Sequence, residues 1–169
     1  MSVDFVTQDL HIRPFVDTDR AAMGKLLTDW RIAETYMLPD FDSEAAVDRM
    51  FARFRELSQR DDRYVAGIYL DEELIGFLND VEIRDCCVEL GYVIGPDHWG
   101  KGYATQMLRG AVEDLFRRGY REVVAGAFEE NKASIRVMVK AGMSKIALEE
   151  DIDYRGKRHH CMYYSVKRA

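Results

Sequence analysis

Residues Asp97 to Thr105 read Asp-His-Trp-Gly-Lys-Gly-Tyr-Ala-Thr, a pattern suited to holding an anion. Gly100 and Gly102 take Cβ atoms out of the turn, so a bulky phosphate can approach the main chain. The turn opens directly into a helical pattern, and the first N–H groups of a helix have no partner within it. Those groups and the positive end of the macrodipole favour negative charge. A Gly-x-Gly tripeptide alone is only a turn, so the case rests on its surroundings. Glu89 is the second residue with chemical promise. It interrupts the apolar run Val88 to Ile94, where burial raises a carboxyl pKa toward the range of a useful proton acceptor. The alternative is a structural carboxylate bonded to a neighbouring main-chain group or arginine.

The elements around these residues give the context. Val88 to Ile94 reads as a strand. After the glycine turn, Ala104, Met107, Leu108, Ala111, Val112, Leu115 and Phe116 form an apolar helical stripe that Gly119 ends. Glu122 to Phe128 reads as a strand buried on both faces. A strand, helix and strand in this order predict two adjacent parallel strands. The glycine turn then lies at the carboxyl end of a parallel strand, where open α/β sheets bind ligands. The turn is not a P-loop, lacking G-x-x-x-x-G-K-[ST], and not a dinucleotide fingerprint, lacking G-x-G-x-x-G.

The rest of the chain supplies further strands and helices. Leu10 to Pro14 reads as the first strand, and Asp17 or Thr18 caps a helix to about Thr28. Trp30 to Phe41 has little periodicity and reads as a loop. Ser43 caps a helix with Val47, Met50, Phe51, Phe54 and Leu57 on one face. Tyr64 to Leu70 and Leu74 to Ile83 are strands about an acidic turn. Ile146 to Asp153 and His160 to Val166 form a last hairpin about Arg155-Gly156-Lys157. The order is that of a single α/β (α+β) domain over residues 1–169 with a mixed sheet.

The segment Glu89 to Gly142 resembles the acetyl-CoA site of the GNAT superfamily of N-acetyltransferases, above all its ribosomal-protein N-terminal acetyltransferase branch. The family pattern is Gln/Arg-x-x-Gly-x-Gly/Ala, and here Trp99-Gly100-Lys101-Gly102-Tyr103-Ala104 stands in its place. Gly102 and Ala104 match, while Trp99 replaces the Gln or Arg. A second block, Asn131 to Met143, resembles the family's Asn-x-x-Ser-Ile-x-Val helix with its closing Gly-Met. Asn131 is also a good N-cap and Gly142 a good C′ residue. The resemblance implies a mostly antiparallel mixed sheet with a central parallel strand pair flanked by helices. It implies acetyl-CoA as acetyl donor, held by Val93, Ile94, Trp99, Gly100, Lys101, Gly102, Tyr103, Ala104, Thr105, Asn131 and Ser134.

Acetyl transfer to an amine needs a deprotonated nucleophile, donors to the thioester carbonyl and a proton for the leaving thiolate. The resemblance places Glu89 as the base, acting directly or through water. It assigns the carbonyl donors to the main chain near Val93 and Ile94, where family members bulge. Many members carry a Tyr seven residues after the capping Asn as general acid. This chain has Met138 there, which leaves Ser134 or water for the thiolate. The alternative for Ser134 is an ordinary N3 residue of the helix. Trp30, Tyr36 and Phe41, and on the last hairpin Tyr154, His159 and His160, border the acceptor region in the family. Core or rim packing is the competing account of these aromatics. Direct attack in a ternary complex is expected over an acyl-cysteine route, since no histidine is placed to activate Cys86 or Cys87. A non-catalytic acyl-CoA-binding module is the competing function.

Composition bounds these readings. The chain has 169 residues, 47% hydrophobic and 32% charged, with a net charge of −6. That charge disfavours nucleic acid, which needs a basic stripe. It suits a cationic amine, small molecule or peptide N-terminus, through long-range attraction, although it equally serves solubility. No apolar run reaches the ~20 residues of a membrane span, and the N-terminus does not read as a secretory signal. Cys86, Cys87 and Cys161 read as reduced thiols of a cytoplasmic protein, and no spacing of His, Cys or carboxylates suggests a metal site. A monomer or homodimer is expected from the family.

Overall fold

The computed structural model describes residues 1–169. In chain order the elements are β1 (Phe5–Val6), β2 (Leu10–Arg13), α1 (Arg20–Leu27), α2 (Trp30–Ala33), α3 (Glu44–Ser58), β3 (Ala66–Leu70), β4 (Glu73–Arg84) and β5 (Cys87–Ile94). There follow α4 (Tyr103–Arg117), β6 (Glu122–Phe128), α5 (Lys132–Lys140), β7 (Ser144–Tyr154) and β8 (Lys157–Lys167). The strands form an eight-stranded sheet in the order β1-β2-β3-β4-β5-β6-β8-β7. β5 and β6 are parallel, as the strand-helix-strand pattern requires. The other recorded pairings are antiparallel. This is the mixed, mostly antiparallel sheet with one parallel pair that the sequence led us to expect. The chain folds as two compact units, residues 1–79 with 92–103, and residues 80–91 with 104–169.

In the first unit, α1 and α3 bury apolar stripes against β3 and β4. The core holds Phe15, Met23, Leu27, Phe51, Tyr69 and Phe77. Phe15 meets the Phe51 and Phe54 rings edge-on at 6.2 and 6.1 Å. Each such pair adds about 0.5–1.5 kcal/mol beyond area burial. The Ser43 side chain caps α3 by accepting from Ala46 N at 3.2 Å, as its position predicts. Two expectations change here. Asp17 to Asp19 form a 3-10 turn ahead of α1, in which the Asp19 carboxylate accepts from Val16 N at 2.8 Å. Trp30–Ala33 is a one-turn helix, where the sequence reading had only a loop. The Asp29 side chain starts it by accepting from Arg31 N at 2.9 Å.

In the second unit, α4 buries Met107, Leu108, Ala111, Val112 and Leu115, five of the seven stripe positions. Gly119, at φ +100°, closes that helix. β6 pairs with β5 over Cys87↔Glu122 to Leu90↔Ala125 and with β8 along its whole length. The β7–β8 hairpin turns at Arg155 and Gly156 and extends further at both ends than its apolar pattern indicated.

Candidate active site

The candidate anion-binding turn is built by backbone conformation. β5 ends at Ile94, and a 3-10 turn over Pro96–His98 leads to the glycines. Gly100 and Gly102 sit at φ +74° and +81°, with Lys101 between them outside that region. Alternation of this kind turns successive N–H groups toward one side and makes an anion-binding concavity. Nothing in the protein lies within 4 Å of a Cβ added at either glycine, so the space above the main chain is open. α4 begins at Tyr103, so the N–H groups of Tyr103, Ala104 and Thr105 have no acceptor one turn back. Lys101 is exposed.

Trp99 explains its departure from the family pattern. Its indole Nε1 donates to the Ile94 carbonyl at 2.7 Å, which ties the end of β5 to the glycine turn. The indole therefore braces the loop through its polar edge, while about half of its surface stays exposed. Gly95 N donates to Ile75 O at 2.7 Å and fixes the strand end from the other side. Beside this loop His98 has a buried Nδ1 with no partner in the protein, and its ring lies 6.4 Å from that of Tyr103. Sequence reasoning passed over His98.

The recorded ladder between β5 and β6 stops at Leu90↔Ala125, although β5 runs on to Ile94 and β6 to Phe128. Val93 and Ile94 thus lie beyond the last parallel pair. The Val93 carbonyl sits where a side chain at Gly76 would have to go, 2.2 Å from a Cβ added there, so only glycine fits that position.

Glu89 projects from the face of β5 shared with Val124 of β6 and Ser165 of β8, its register partners. It is half-buried, and no hydrogen bond or ion pair within the protein engages its carboxylate. Burial pushes its pKa above the usual carboxylate range, and the charges of Glu82 and Glu150 push it the same way. The structural alternative needed a main-chain or arginine partner, and the structure offers none. On the same face lies Tyr163, whose ring covers Gly126 so closely that an added Cβ would come within 2.7 Å of it. The Tyr163 hydroxyl donates to Glu150, and burial together with that carboxylate drives the phenol pKa upward. Sequence reasoning missed Tyr163 and Glu150. They reach the face of Glu89 only through the register of β5, β6, β8 and β7, which no local pattern encodes.

Asn131 caps α5 through its side-chain oxygen, which accepts from Ser134 N at 3.1 Å. Its amide nitrogen takes no part in the cap. Ser134 is the N3 residue, as the competing account held. Met138, at the position of the family's tyrosine, is fully buried and serves the core.

The acceptor candidates divide. Trp30 is 67% exposed at the start of α2. Tyr36 donates to Asn79 Oδ1 at 2.6 Å and meets Phe77 edge-on at 5.6 Å. Burial raises its pKa to about 12, so the phenol stays protonated. Phe41 packs against the apolar core of its unit. Tyr154 and His159 share the face of Cys161 and Tyr163, and so of Glu89. The next residue on β8, His160, points to the opposite face. Its Nδ1 lies 2.9 Å from Asp151 and its Nε2 3.4 Å from Glu149, and these carboxylates raise its pKa. The structure therefore does not bring His160 to Glu89. No group of three or more His, Cys, Asp or Glu side chains is arranged to hold a metal.

A family model for the GNAT acetyltransferase domain matches residues 9–144. The chain belongs to the GNAT family. It is an acetyltransferase, and the reading as a non-catalytic module gives way to that assignment. The uncharacterized N-acetyltransferase YoaA of Bacillus subtilis is 26% identical over 166 residues, covering 95% of this chain and 94% of YoaA. Among solved structures, a GNAT acetyltransferase from Bacillus anthracis superposes with a TM-score of 0.84 at 21% identity, covering 98% of each chain. RimL, a ribosomal L7/L12 alpha-N-protein acetyltransferase in complex with coenzyme A, superposes with a TM-score of 0.86 at 20% identity, covering 96% of each chain. No helix is long and apolar enough to cross a membrane.

Proposed function

We propose that this GNAT protein moves an acetyl group from acetyl-CoA to a primary amine by direct attack, with both substrates bound at once. Residues 1–169 act as one catalytic domain in this reading. The pyrophosphate lies on the N–H groups of Gly100 to Thr105, and Asn131 flanks the pantetheine arm. Main-chain N–H groups at Val93 and Ile94 donate to the thioester oxygen as charge develops on it. Glu89 takes the proton of the acceptor ammonium, directly or through one water. The free amine attacks the carbonyl carbon, the C–N bond forms and the C–S bond breaks. The departing thiolate takes a proton from Ser134 or from water, and the proton that the nitrogen sheds on becoming an amide replaces it, so the one net proton released is the one held by Glu89.

The single observation that carries this mechanism is the Glu89 carboxylate, half-buried, unpaired and held above its ordinary pKa. A lysine-like ammonium has a pKa of roughly 10.4 and a peptide α-amino group one of about 8, so either acceptor is mostly protonated at neutral pH and needs a base. The acceptor is a small amine or a peptide N-terminus, and Trp30, Tyr36 and Tyr154 are the side chains proposed to border it, His160 lying on the other face of the sheet. RimL, by its name, acts on the amino terminus of a ribosomal protein, which favours an N-terminal amine as the first class to test. The reaction is assigned to the cytoplasm.

Glu89→Gln tests the mechanism, because it keeps shape and removes the base. Turnover is expected to fall by roughly 10²–10⁴, with acetyl-CoA affinity nearly unchanged by calorimetry. The acidic limb of the pH–rate profile is expected to disappear in the variant. Turnover retained within a few-fold would reject Glu89 as the base and leave positioning as the source of catalysis.

A further inference from the structure

The proposed mechanism gives His159 no part, yet its side chain is held on two sides. It is 8% exposed and stacks on Phe128, with ring centroids 4.1 Å apart and planes 14° from parallel. Its Nδ1 meets the Glu130 carboxylate in a short contact. An ionised carboxylate only accepts, so Nδ1 carries the hydrogen. Glu130 is the residue before Asn131. The main-chain hydrogen bond within Glu130 and the His159 contact hold its carboxyl below the usual range, so it is charged near neutrality.

The turn between β6 and α5 is thereby tied down on both sides. Glu129 N donates to His160 O at 2.8 Å, and Asn131 N donates to Phe128 O at 2.8 Å. The main chain of this turn hangs on β8 at a single hydrogen bond, and His159 adds the only side-chain tie recorded between β8 and the turn apart from a 4.0 Å approach of Lys157 to Glu130. Asn131 leaves the turn with its oxygen spent on the helix cap and its amide N–H groups directed by the cap geometry.

We propose that His159 is a positioning residue for the cofactor arm: through Glu130 it fixes the turn that orients the Asn131 amide. This rests on the reading of Asn131 as a pantetheine contact. His159 touches neither substrate in this account. It sets the angle at which Asn131 meets the cofactor, so its loss weakens acetyl-CoA binding and leaves the chemical step alone.

Steady-state kinetics on the full chain separate the cases. His159→Phe keeps the stack on Phe128 and removes the donor. His159→Asn puts an amide N–H where Nδ1 was and gives up most of the stack. Glu130→Ala removes the acceptor from the other side and serves if His159→Phe melts too low to assay. Asn131→Ala, and its combination with His159→Phe, complete a double-mutant cycle. The expected result is a rise in KM for acetyl-CoA of about fivefold in His159→Phe, the worth of one hydrogen bond, with kcat held. Recovery in His159→Asn is expected, together with a double variant no worse than Asn131→Ala alone. If Asn131→Ala raises KM and neither His159→Phe nor Glu130→Ala does, the positioning role is overturned. Additive effects in the double variant, or a fall in kcat at constant KM, also overturn it. If Asn131→Ala leaves KM unchanged, Asn131 is no cofactor contact and the reading beneath the proposal fails.

Discussion

At the scale of single residues, Glu89 shows how a position useful to chemistry is costly to the fold. Its carboxylate loses water on burial, gains no partner and feels Glu82 and Glu150. The folded-state pKa is therefore raised above the unfolded value. A group of that kind supports the fold fully below the unfolded pKa, and its support is lost as pH rises through the folded pKa. Glutamine cannot ionise. Glu89→Gln is thus expected to melt above the wild type at about pH 8, with the gap narrowing as pH falls through the raised pKa of Glu89. Calorimetric melting across that range checks it. A gap that stays constant with pH would show that ionisation of Glu89 is not its source. The same variant is expected to lose activity, so stability and turnover move in opposite directions at one atom.

At the scale of elements, the glycine turn is a conformational device as much as an absence of side chains. Gly102 sits at φ +81° with open space above it. Valine there meets no atom of the protein but takes on left-handed strain of about 1–2 kcal/mol. Gly119 at φ +100° is equally open and closes the far end of α4, so Gly119→Val serves as a control. Both variants are expected to lose similar stability by denaturant titration. Only Gly102→Val is expected to lose acetyl-CoA affinity, by tenfold or more, since its side chain blocks the pyrophosphate over the helix N-terminus. Equal affinities in the two variants would remove the cofactor from this turn.

The elements also show what could be read from the chain. α4 and β6 were legible because a stripe of period 3.6 and an unbroken apolar run are dictated by burial. The glycine turn and the Asn131 cap were legible because each depends on a local conformation that few residues can adopt. β1, of two residues, and α2, of four, carry no period to read. α2 exists because the Asp29 carboxylate satisfies one early N–H group. The part of the site that escaped, Tyr163 over Gly126 with Glu150 beyond, depends on the register of β6, β8 and β7. Register is a property of paired strands, and it is fixed by the face each strand buries. It also separates His159 from His160, two neighbours that sequence alone treated alike.

At the scale of the whole molecule, the two units are interleaved along the chain. The polypeptide passes from one to the other within β4, again within β5, and a third time at Tyr103–Ala104. Neither unit is a continuous stretch, so cutting the chain cannot release one intact. A fragment of residues 104–169 lacks Cys87 to Leu90, the parallel partners of Glu122 to Ala125. Val123, Val124 and Ala125 are buried in the full chain, and their strand would become an unpaired apolar edge. Such an edge invites pairing with other chains. The fragment is expected to lack a cooperative thermal transition and to aggregate, whereas residues 1–169 are expected to melt in one calorimetric transition. Co-expression with residues 1–103 is expected to restore solubility, because the missing strand is then supplied in trans. A fragment 104–169 that melts cooperatively on its own would show that the second unit needs nothing from β5, and the proposal of one catalytic domain over 1–169 would fall with it.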